Sequence, residues 1–455
     1  MSDGRQSADS VAVIGLARSG RAAAALLARQ GRRVYASDAD DGPELREVSE
    51  SLRRDGVDAQ LGGHDLARIA RSSLVVVSPG VPPEAAPLAA ARAAGVPVVS
   101  EVRVALDALQ STRVIAVTGT NGKSTTTALI AHLLVATGHR ARAAGNIGHA
   151  LSEIALANDP PEWVALEMSS FQLHDTPDFS PSVGVLTNLA PDHLDRYAGV
   201  AEYYADKQRL FGGAKAASCW VTNADDAAVQ RMAAGVPGAH YRFSLAAEAD
   251  AWHDGSGTLR LFGRPLCSRR DIMLLGDHNV ANALAAALAV AVAGTEPRDA
   301  GIASRLGDGL RGFGGLPHRL EVVGETGGVV WVNDSKATNV ESARVAIEAM
   351  ERPTVLLMGG RHKGEPYVAL AEAVRRHVRH VLVFGEAAPT IASDLGSAGV
   401  PLERVAGGFA EIVARAAEIA RPGDAVLLAP GCSSFDMFRD YEERGAKFRE
   451  LVAAL

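Results

Sequence analysis

The sequence predicts an α/β protein with three domains, and both its apolar pattern and its length support this. Short apolar runs typical of buried strands alternate with stretches of helical periodicity along most of the chain, as in domains built around parallel sheets. At 455 residues the chain is too long for one ordinary hydrophobic core. We place the domains at residues 1–111, 112–315 and 316–455.

The first block has the order of a Rossmann-like unit. It opens with the strand VAVIG, a glycine-containing turn and a helix after Ser19, and further strands end at Asp38 and Gly80. The turn GLARSG, together with Asp38, resembles the dinucleotide fingerprint G-x-G-x-x-G, but Ala17 replaces the middle glycine and weakens the match. Three interpretations stay open: an NAD site, a site for the diphosphate of a UDP-sugar, and glycines with a structural role only.

The strongest local motif opens the second block. The segment TGTNGKST, Thr118 to Thr125, follows the strand RVIAVTG and begins a helix, so backbone N–H groups and a helix N-terminus would face a phosphate chain. Lys123 supplies a cation for the outer phosphates, and Ser124 supplies a hydroxyl for Mg²⁺. Val117 stands where the full phosphate-loop pattern has its first glycine, so an ordinary glycine-rich turn remains the alternative.

Three charged residues follow in segments that otherwise look buried. Glu167 lies inside the strand WVALEMSS, where either a bound metal or a strand end that meets water or an arginine would satisfy the carboxylate. His193, flanked by Asp192 and Asp195, follows the strand VGVLTN, where α/β sheets place ligands, although a single histidine there is more often structural. Lys207 falls on the apolar face of its helix, and it either faces inward with a partner or a chemical modification, or extends to solvent at the edge of that face.

The third block predicts a second Rossmann-like domain. It begins with the strand VVWVND and continues with TVLLMGG, HVLVFG and AVLLAPG, with helices between them.

Composition argues against several classes of protein. A net charge of −7 disfavours a general nucleic-acid binder. The longest apolar run, near Leu284 to Gly294, is too short to span a bilayer, and the polar start has no secretory h-region. Three widely spaced cysteines suggest neither a disulfide framework nor a zinc site. We therefore expect a cytoplasmic protein without nucleic-acid or membrane partners.

Six separated motifs occur in an order and spacing that resemble the Mur ligase family. They are the phosphate loop, EMSSFQL, NLAPDHLDRY, GDHNVANALAA, GLPHRLE and NDSKATN. The resemblance runs from Val11 to about Phe448, and NDSKATN and LLAPGCSSFDMFRDYEERG are similar to the branch that adds D-glutamate. It implies a UDP-binding Rossmann-like domain, a central phosphate-loop ATPase domain and a Rossmann-like C-terminal domain that binds the amino acid.

The resemblance also implies the reaction. ATP would activate the alanyl carboxylate of UDP-N-acetylmuramoyl-L-alanine as an acyl phosphate, and D-glutamate would displace the phosphate in a step of peptidoglycan precursor synthesis. The implied cofactors are ATP with Mg²⁺, as two ions, and a carbamylated Lys207; the family precedent is a monomer. The catalytic residues would be Lys123, Glu167, His193, Lys207 and Lys336, and the metal ligands Ser124, Glu167, His193 and Lys207.

The remaining site residues follow from the same resemblance. The nucleotide would be bound by Gly119, Thr120, Asn121, Gly122, Lys123, Ser124, Thr125, Asn279, Asn282, His318, Arg319 and Asp334. The UDP-sugar would be bound by Arg18, Ser19, Gly20, Asp38, Ser78, Gly80 and Asn146, and glutamate by Lys336, Thr338, Lys363, Ser434 and Tyr441. Ala39-Asp40 stands where the family often has Thr-Arg, so on the uracil side this chain departs from the family pattern.

Other functions stay open from the sequence. A sibling ligase would use L-glutamate or another amino acid, because chirality is not legible in the motifs. An NAD-dependent dehydrogenase would leave GTNGKST without a role. A non-catalytic nucleotide-binding regulator would not need Glu167, His193 and Lys207 together.

Overall fold

The computed structural model describes residues 10–193, 196–294 and 301–455. These residues form three β-sheets with helices packed against them. The chain divides into two compact units, one within Met1–Asp271 and Ala281–Gly312 and the other within Ile272–Val280 and Phe313–Leu455. The first unit holds two of the sheets and the second unit holds the third.

The first sheet is parallel and is buried on both faces, as its near-continuous apolar strands require. Its strands are β1 (Ser10–Ile14), β2 (Arg33–Ser37), β3 (Asp58–Gln60), β4 (Leu74–Val77) and β5 (Val98–Ser100). Its helices are α1 (Arg18–Arg29), α2 (Pro43–Arg54), α3 (Leu66–Ile69), α4 (Ala86–Ala93) and α5 (Glu101–Ala108). The strand order β3-β2-β1-β4-β5 reverses between β1 and β4, and open α/β sheets bind ligands at the carboxyl ends of strands at such a point.

The second sheet is mixed, with an antiparallel extension at one edge. Its strands are β6 (Arg113–Thr118), β7 (Ala141–Gly145), β8 (Trp163–Glu167), β9 (Val183–Leu186), β10 (Cys219–Asn223), β11 (Ala239–Ser244), β12 (Ala251–His253), β13 (Thr258–Leu261) and β14 (Arg264–Ser268). The helices along this part of the chain are α6 (Lys123–Ala136), α7 (Leu151–Ala155), α8 (Ser170–His174), α9 (Val200–Gln208), α10 (Ala227–Ala233), α11 (Asp277–Ala293) and α12 (Ile302–Arg311). The order β14-β13-β12-β11-β10-β9-β6-β8-β7 places β6 between β9 and β8, so these three strands end side by side.

The third sheet lies in the second unit and has the order β15-β16-β20-β17-β18-β19, with only β15 antiparallel. Its strands are β15 (Glu321–Thr326), β16 (Val329–Asn333), β17 (Thr354–Gly359), β18 (Val378–Phe384), β19 (Leu402–Arg404) and β20 (Ala425–Leu428). Its helices are α13 (Val340–Glu348), α14 (Ala371–His377), α15 (Ala388–Leu395), α16 (Phe409–Ile419) and α17 (Tyr441–Ala453). One apolar cluster covers each face of this sheet.

The described helices include none with the length and apolar character that crossing a membrane requires.

Candidate active site

The turn between β6 and α6 depends on two glycines. Strand β6 ends one residue before Gly119, and α6 begins at Lys123, as the motif predicts. Gly119 and Gly122 have φ angles of 148° and 79°, which a side chain would strain. A Cβ at Gly119 would also overlap Thr187, and one at Gly122 would overlap Asn282. The backbone at this turn can therefore approach a phosphate closely.

The segment that follows β9 stabilises this turn through hydrogen bonds. Asn188 accepts the N–H of Asn121 through Oδ1 (2.8 Å) and donates from Nδ2 to the Asn121 carbonyl (3.0 Å). The Thr187 hydroxyl donates to the same carbonyl (2.7 Å), and the N–H of Thr120 donates to the Asn188 carbonyl (2.9 Å). Sequence reasoning missed Thr187 and Asn188. The available signal was a polar pair at the end of a buried strand.

The remaining predicted nucleotide residues of α6 and α11 differ in their contacts. Ser124 is buried and Thr125 is half-buried, both in the first turn of α6. Asn282 accepts a hydrogen bond from the Thr126 hydroxyl (3.2 Å), which places it beside the same turn. Asn279 donates its side-chain amide to the backbone carbonyl four residues earlier (2.8 Å).

Two lysine ammonium groups meet at one carbonyl of the turn. Lys207 Nζ donates to the Gly119 carbonyl (2.6 Å), and Lys123 Nζ donates to that carbonyl (3.1 Å) and to the Thr120 carbonyl (2.7 Å). Lys207 is only 1% exposed, so it faces inward and does not extend to solvent. Burial, reinforced by the charge of Lys123, lowers the pKa of Lys207 well below its ordinary value, although nearby carboxylates oppose the shift.

Glu167 is the last residue of β8 and is almost completely buried. One carboxylate oxygen, Oε1, accepts a hydrogen bond from Asn146 Nδ2 (2.9 Å). The other, Oε2, is buried and has no hydrogen-bond partner among the described residues. A buried carboxylate oxygen is costly without a donor or a cation, so this atom fits the place of a metal ligand. No group of three or more His, Cys, Asp or Glu side chains gathers around a metal-sized site in the described ranges.

An aromatic cluster connects His193 with the phosphate loop. The His193 ring packs edge-on against Phe171 (centroids 5.4 Å apart) and Tyr203 (6.0 Å). Tyr203 donates its hydroxyl to Thr120 Oγ1 (3.3 Å), and its ring lies 4.6 Å from Lys207 Nζ. Tyr203 therefore contacts both the loop and the buried lysine, and it was not among the predicted site residues.

His193 has a φ of 54°, an uncommon conformation for a residue with a side chain. Asp192 Oδ1 accepts the N–H of His193 (2.8 Å), and Asp192 Oδ2 lies 3.7 Å from Nε2 of the ring. Asp195, the other flanking residue, lies outside the described residues.

A cavity of about 580 Å³ opens where β1 and β4 end. Asp38 stabilises the turn between β1 and α1, because its Oδ2 accepts the N–H of Leu16 (2.6 Å). Its Oδ1 accepts the N–H of Asp40 (3.0 Å). His64 also lines the cavity and was not predicted. The predicted residues that line the cavity are Arg18, Ser19, Asp38, Ser78, Gly80 and Asn146, and Ala39 and Asp40 lie there too.

Gly20 differs from its neighbours in this turn. It does not line the cavity but is buried, and a Cβ there would overlap the Gly15 carbonyl. Ser78 donates its hydroxyl to the same carbonyl (2.8 Å). The third glycine of the fingerprint thus serves close helix–strand packing.

In the second unit, Asp334 is buried just after β16, and burial raises its pKa to about 7 against the opposing charge of Arg319. Its Oδ1 accepts the N–H of Leu320 (3.3 Å). His318 has a φ of 64°, and its Nδ1 lies 3.1 Å from Asn333 Nδ2. Three of the predicted nucleotide residues of this unit, His318, Arg319 and Asp334, are therefore neighbours.

The predicted glutamate-binding residues also gather within this unit. Lys363 Nζ donates to Thr338 Oγ1 (3.4 Å), and Lys336 Nζ lies 3.8 Å from the ring centroid of Tyr441. Ser434 is buried, in the segment after β20.

A completely buried arginine lies beneath these segments. Arg444 donates to the hydroxyl and the carbonyl of Ser335 (both 2.9 Å) and to the carbonyl of Cys432 (3.3 Å). It thereby connects two of the segments that carry the predicted glutamate ligands, and sequence reasoning missed it.

Comparison with known proteins decides the family. Family models match residues 9–100 (Mur ligase MurD-like, N-terminal domain), 117–290 (Mur ligase middle domain) and 318–432 (Mur ligase, glutamate ligase domain). A UDP-N-acetylmuramoylalanine–D-glutamate ligase of Myxococcus xanthus is 42% identical over 99% of both chains, and one of Acidobacterium capsulatum is 40% identical over 98% of this chain and 96% of its own.

The chain belongs to the Mur ligase family.

Solved structures of more distant relatives show the same fold. UDP-N-acetylmuramate–alanine ligase of Thermotoga maritima, at 19% identity, superimposes with a TM-score of 0.61 over 98% of this chain and 99% of its own. A pseudomurein peptide ligase of Methanothermus fervidus, at 17% identity, gives 0.58 over 98% and 99%.

The Mur ligase prediction and the three-domain α/β fold class are therefore confirmed. As a Mur ligase the enzyme is ATP-dependent and uses Mg²⁺, and the dehydrogenase alternative is wrong. The predicted domain boundaries and the roles of individual residues stay predictions.

Proposed function

We propose that this Mur ligase joins D-glutamate to UDP-N-acetylmuramoyl-L-alanine and converts ATP to ADP and phosphate. The full-length relatives that it resembles at about 40% identity carry the name of that activity. The observation that carries the proposal is the meeting of Lys123 and Lys207 at one carbonyl of the phosphate loop.

The reaction proceeds through an activated carboxylate. The terminal phosphoryl group of ATP passes to an oxygen of the alanyl carboxylate, which gives an acyl phosphate and ADP. The glutamate nitrogen then attacks the carbonyl carbon, a C–N bond forms, the C–O bond to phosphate breaks, and phosphate leaves with the electron pair while the amine loses a proton. Little covalent chemistry falls to the protein, so its side chains position the reactants and stabilise their charge.

The central turn supplies this charge stabilisation. Lys123 and the backbone N–H groups of the turn bind the outer phosphates, and Asn146 orients Glu167 from the side of the acceptor. Ser124, Glu167 and His193 hold Mg²⁺, as does the modified Lys207. When bound, Mg²⁺ neutralises developing negative charge on the phosphoryl oxygens.

Lys207 acts as a carbamate. The neutral amine attacks CO₂, a C–N bond forms, and a proton leaves to solvent, so the cation becomes an anionic oxygen ligand. Burial and a lowered pKa favour the neutral amine that this step requires. The change also replaces repulsion from Lys123 with attraction.

The other substrates bind at the two remaining sheets. The cavity at β1 and β4 receives the UDP moiety, and the family resemblance assigns His318, Arg319 and Asp334 to nucleotide binding. The two carboxylates of glutamate are held by Lys336, Thr338, Lys363, Ser434 and Tyr441, and the same resemblance gives Lys336 a catalytic role as well. These assignments give the domains 1–111, 112–315 and 316–455 their roles. The enzyme works as a cytoplasmic monomer.

One assay tests the function. Protein, ATP, Mg²⁺ and UDP-N-acetylmuramoyl-L-alanine are mixed, each candidate amino acid is added singly, and ADP is measured. We expect ADP release that requires both the nucleotide sugar and D-glutamate. Equal release with L-glutamate, or release only with another amino acid, would replace the proposal with the sibling ligase.

A further inference from the structure

Helix α7 is a short helix of the second sheet's layer that is held at both ends by residues of the first sheet's layer. At its start, Glu101 of α5 accepts the backbone N–H of Ser152. At its end, Arg29 of α1 donates to the carbonyls of Ala155 and Leu156 (both 2.7 Å). A carboxylate at a helix N-terminus and a guanidinium at its C-terminus both interact favourably with the helix dipole.

Glu101 is the more buried of the two residues. It is 1% exposed, and burial raises its pKa while the hydrogen bonds to Ser152 oppose the shift. Its second oxygen, Oε2, is buried and has no hydrogen-bond partner among the described residues. A carboxylate kept in such a position is costly, so a role beyond ordinary packing would explain it. Arg29, by contrast, is exposed, so its removal disturbs the core little.

The two elements that these contacts join, α1 and the segment before α7, both contribute residues to the lining of the UDP cavity. Helix α1 begins with Arg18 and Ser19, whereas the loop that leads into α7 carries Asn146. Asn146 is also tied to Glu167, both by its side chain (2.9 Å) and by its backbone N–H (3.0 Å). Removing the contacts of Glu101 and Arg29 with α7 would therefore leave Asn146 bonded to Glu167. The turn before α1 would then be free to move relative to Asn146.

A second connection between the two layers would act as a pivot. The N–H of Ser100 donates to the Asp175 carbonyl (2.6 Å), and its hydroxyl lies 2.7 Å from the Thr176 hydroxyl. With this connection and the apolar cluster shared by α1, α5 and α7 intact, removing the two α7 contacts keeps the layers attached and loosens only the spacing between α1 and α7.

We propose that Glu101 and Arg29 are positioning residues that set the distance between the UDP-binding turn and the reacting centre, and so select an acceptor with a full UDP group. This inference rests on the proposed function, since it concerns how the same acceptor spans its site.

The test compares two acceptors in steady-state kinetics. One is UDP-N-acetylmuramoyl-L-alanine, and the other is N-acetylmuramoyl-L-alanine 1-phosphate, which lacks the uridine monophosphate part and therefore the contacts of that part with the turn at α1. The variants are Glu101→Ala and Arg29→Ala, with Glu101→Gln as a conservative variant that keeps an acceptor for Ser152. Arg21→Ala is the matched control, because it removes an exposed ion pair (3.7 Å) between the same two helices.

We expect Glu101→Ala to raise the KM for the full acceptor about tenfold, and Arg29→Ala to raise it less, with the KM for ATP unchanged. The truncated acceptor should react with each variant as it does with the unmodified enzyme, Glu101→Gln should restore most of the loss, and Arg21→Ala should have no effect. Equal losses with both acceptors, or no loss with the full one in Arg29→Ala, would overturn the inference. If the unmodified enzyme fails to use D-glutamate, the proposed function fails instead.

Discussion

Two turns in the first unit each lead from a parallel strand into a helix, and side chains of opposite charge hold them. The turn between β1 and α1 is closed by a carboxylate, since Asp38 accepts the N–H of Leu16. The turn between β6 and α6 is closed by two ammonium groups, since Lys123 and Lys207 both donate to the Gly119 carbonyl. Each turn directs backbone N–H groups and a helix N-terminus outward.

The difference separates binding from reaction. Under the proposed function, the turn at α1 holds a diphosphate that does not change, through backbone donors and Arg18. The turn at Gly119 faces a phosphate that gains charge in the transition state, and Lys123 and a bound metal ion would stabilise that charge. Buried charge therefore accompanies the turn to which we assign the chemistry.

The largest effect should follow from removing the buried lysine. We expect Lys207→Ala to lower kcat by about a hundredfold or more, because the proposed carbamate ligand is lost from the phosphoryl-transfer site. Affinity for UDP, measured by calorimetry, should stay unchanged, since the first turn does not contact Lys207.

A small carboxylate such as formate should partly restore activity to Lys207→Ala, because it can replace the carbamate oxygen. Lys447→Ala, which removes an exposed lysine from α17, is the control and should retain full activity. Full activity of Lys207→Ala without any addition would remove both the carbamate and the contrast between the turns.

A smaller effect should follow from crowding the first turn. In Gly20→Ala the new Cβ overlaps the Gly15 carbonyl, so the backbone of the turn must shift. We expect the KM for UDP-N-acetylmuramoyl-L-alanine to rise about tenfold, whereas the KM for ATP stays constant. Gly42→Ala is the matched control, because a Cβ there meets nothing within 4 Å. A rise in the KM for ATP would show that the two turns are not independent.

Local patterns made much of the central site predictable. The strand, turn and helix around Gly122 follow from short-range sequence, and helical spacing placed Lys207 on the apolar face of its helix without deciding whether it turns inward or reaches solvent. The apolar neighbours of Glu167 indicated a buried segment but left open a strand end that meets water or an arginine. What the sequence left open was the partner of each charge, and the resemblance to Mur ligases supplied it.

Contacts between distant segments could not be predicted in the same way. Asn188 holds the phosphate loop from 67 positions along the chain, and Arg29 contacts α7 from more than 120. Gly20 was expected to touch substrate, but it packs against its own strand because only a glycine fits there. The three-residue strands β3, β5 and β19 and the antiparallel edge β12–β14 are also absent from the predicted strands, since such short runs carry little periodicity.

The central claim is that the turn at α1 binds UDP and the turn at α6 binds ATP, and binding measurements on two variants test it most directly. Calorimetric titration of a non-hydrolysable ATP analogue with Mg²⁺, and separately of UDP, is made on Lys123→Ala and on Arg18→Ala. We predict that Lys123→Ala loses affinity for the ATP analogue and keeps affinity for UDP, and that Arg18→Ala shows the reverse. Loss of both ligands in either variant, or retention of the ATP analogue in Lys123→Ala, would contradict this account.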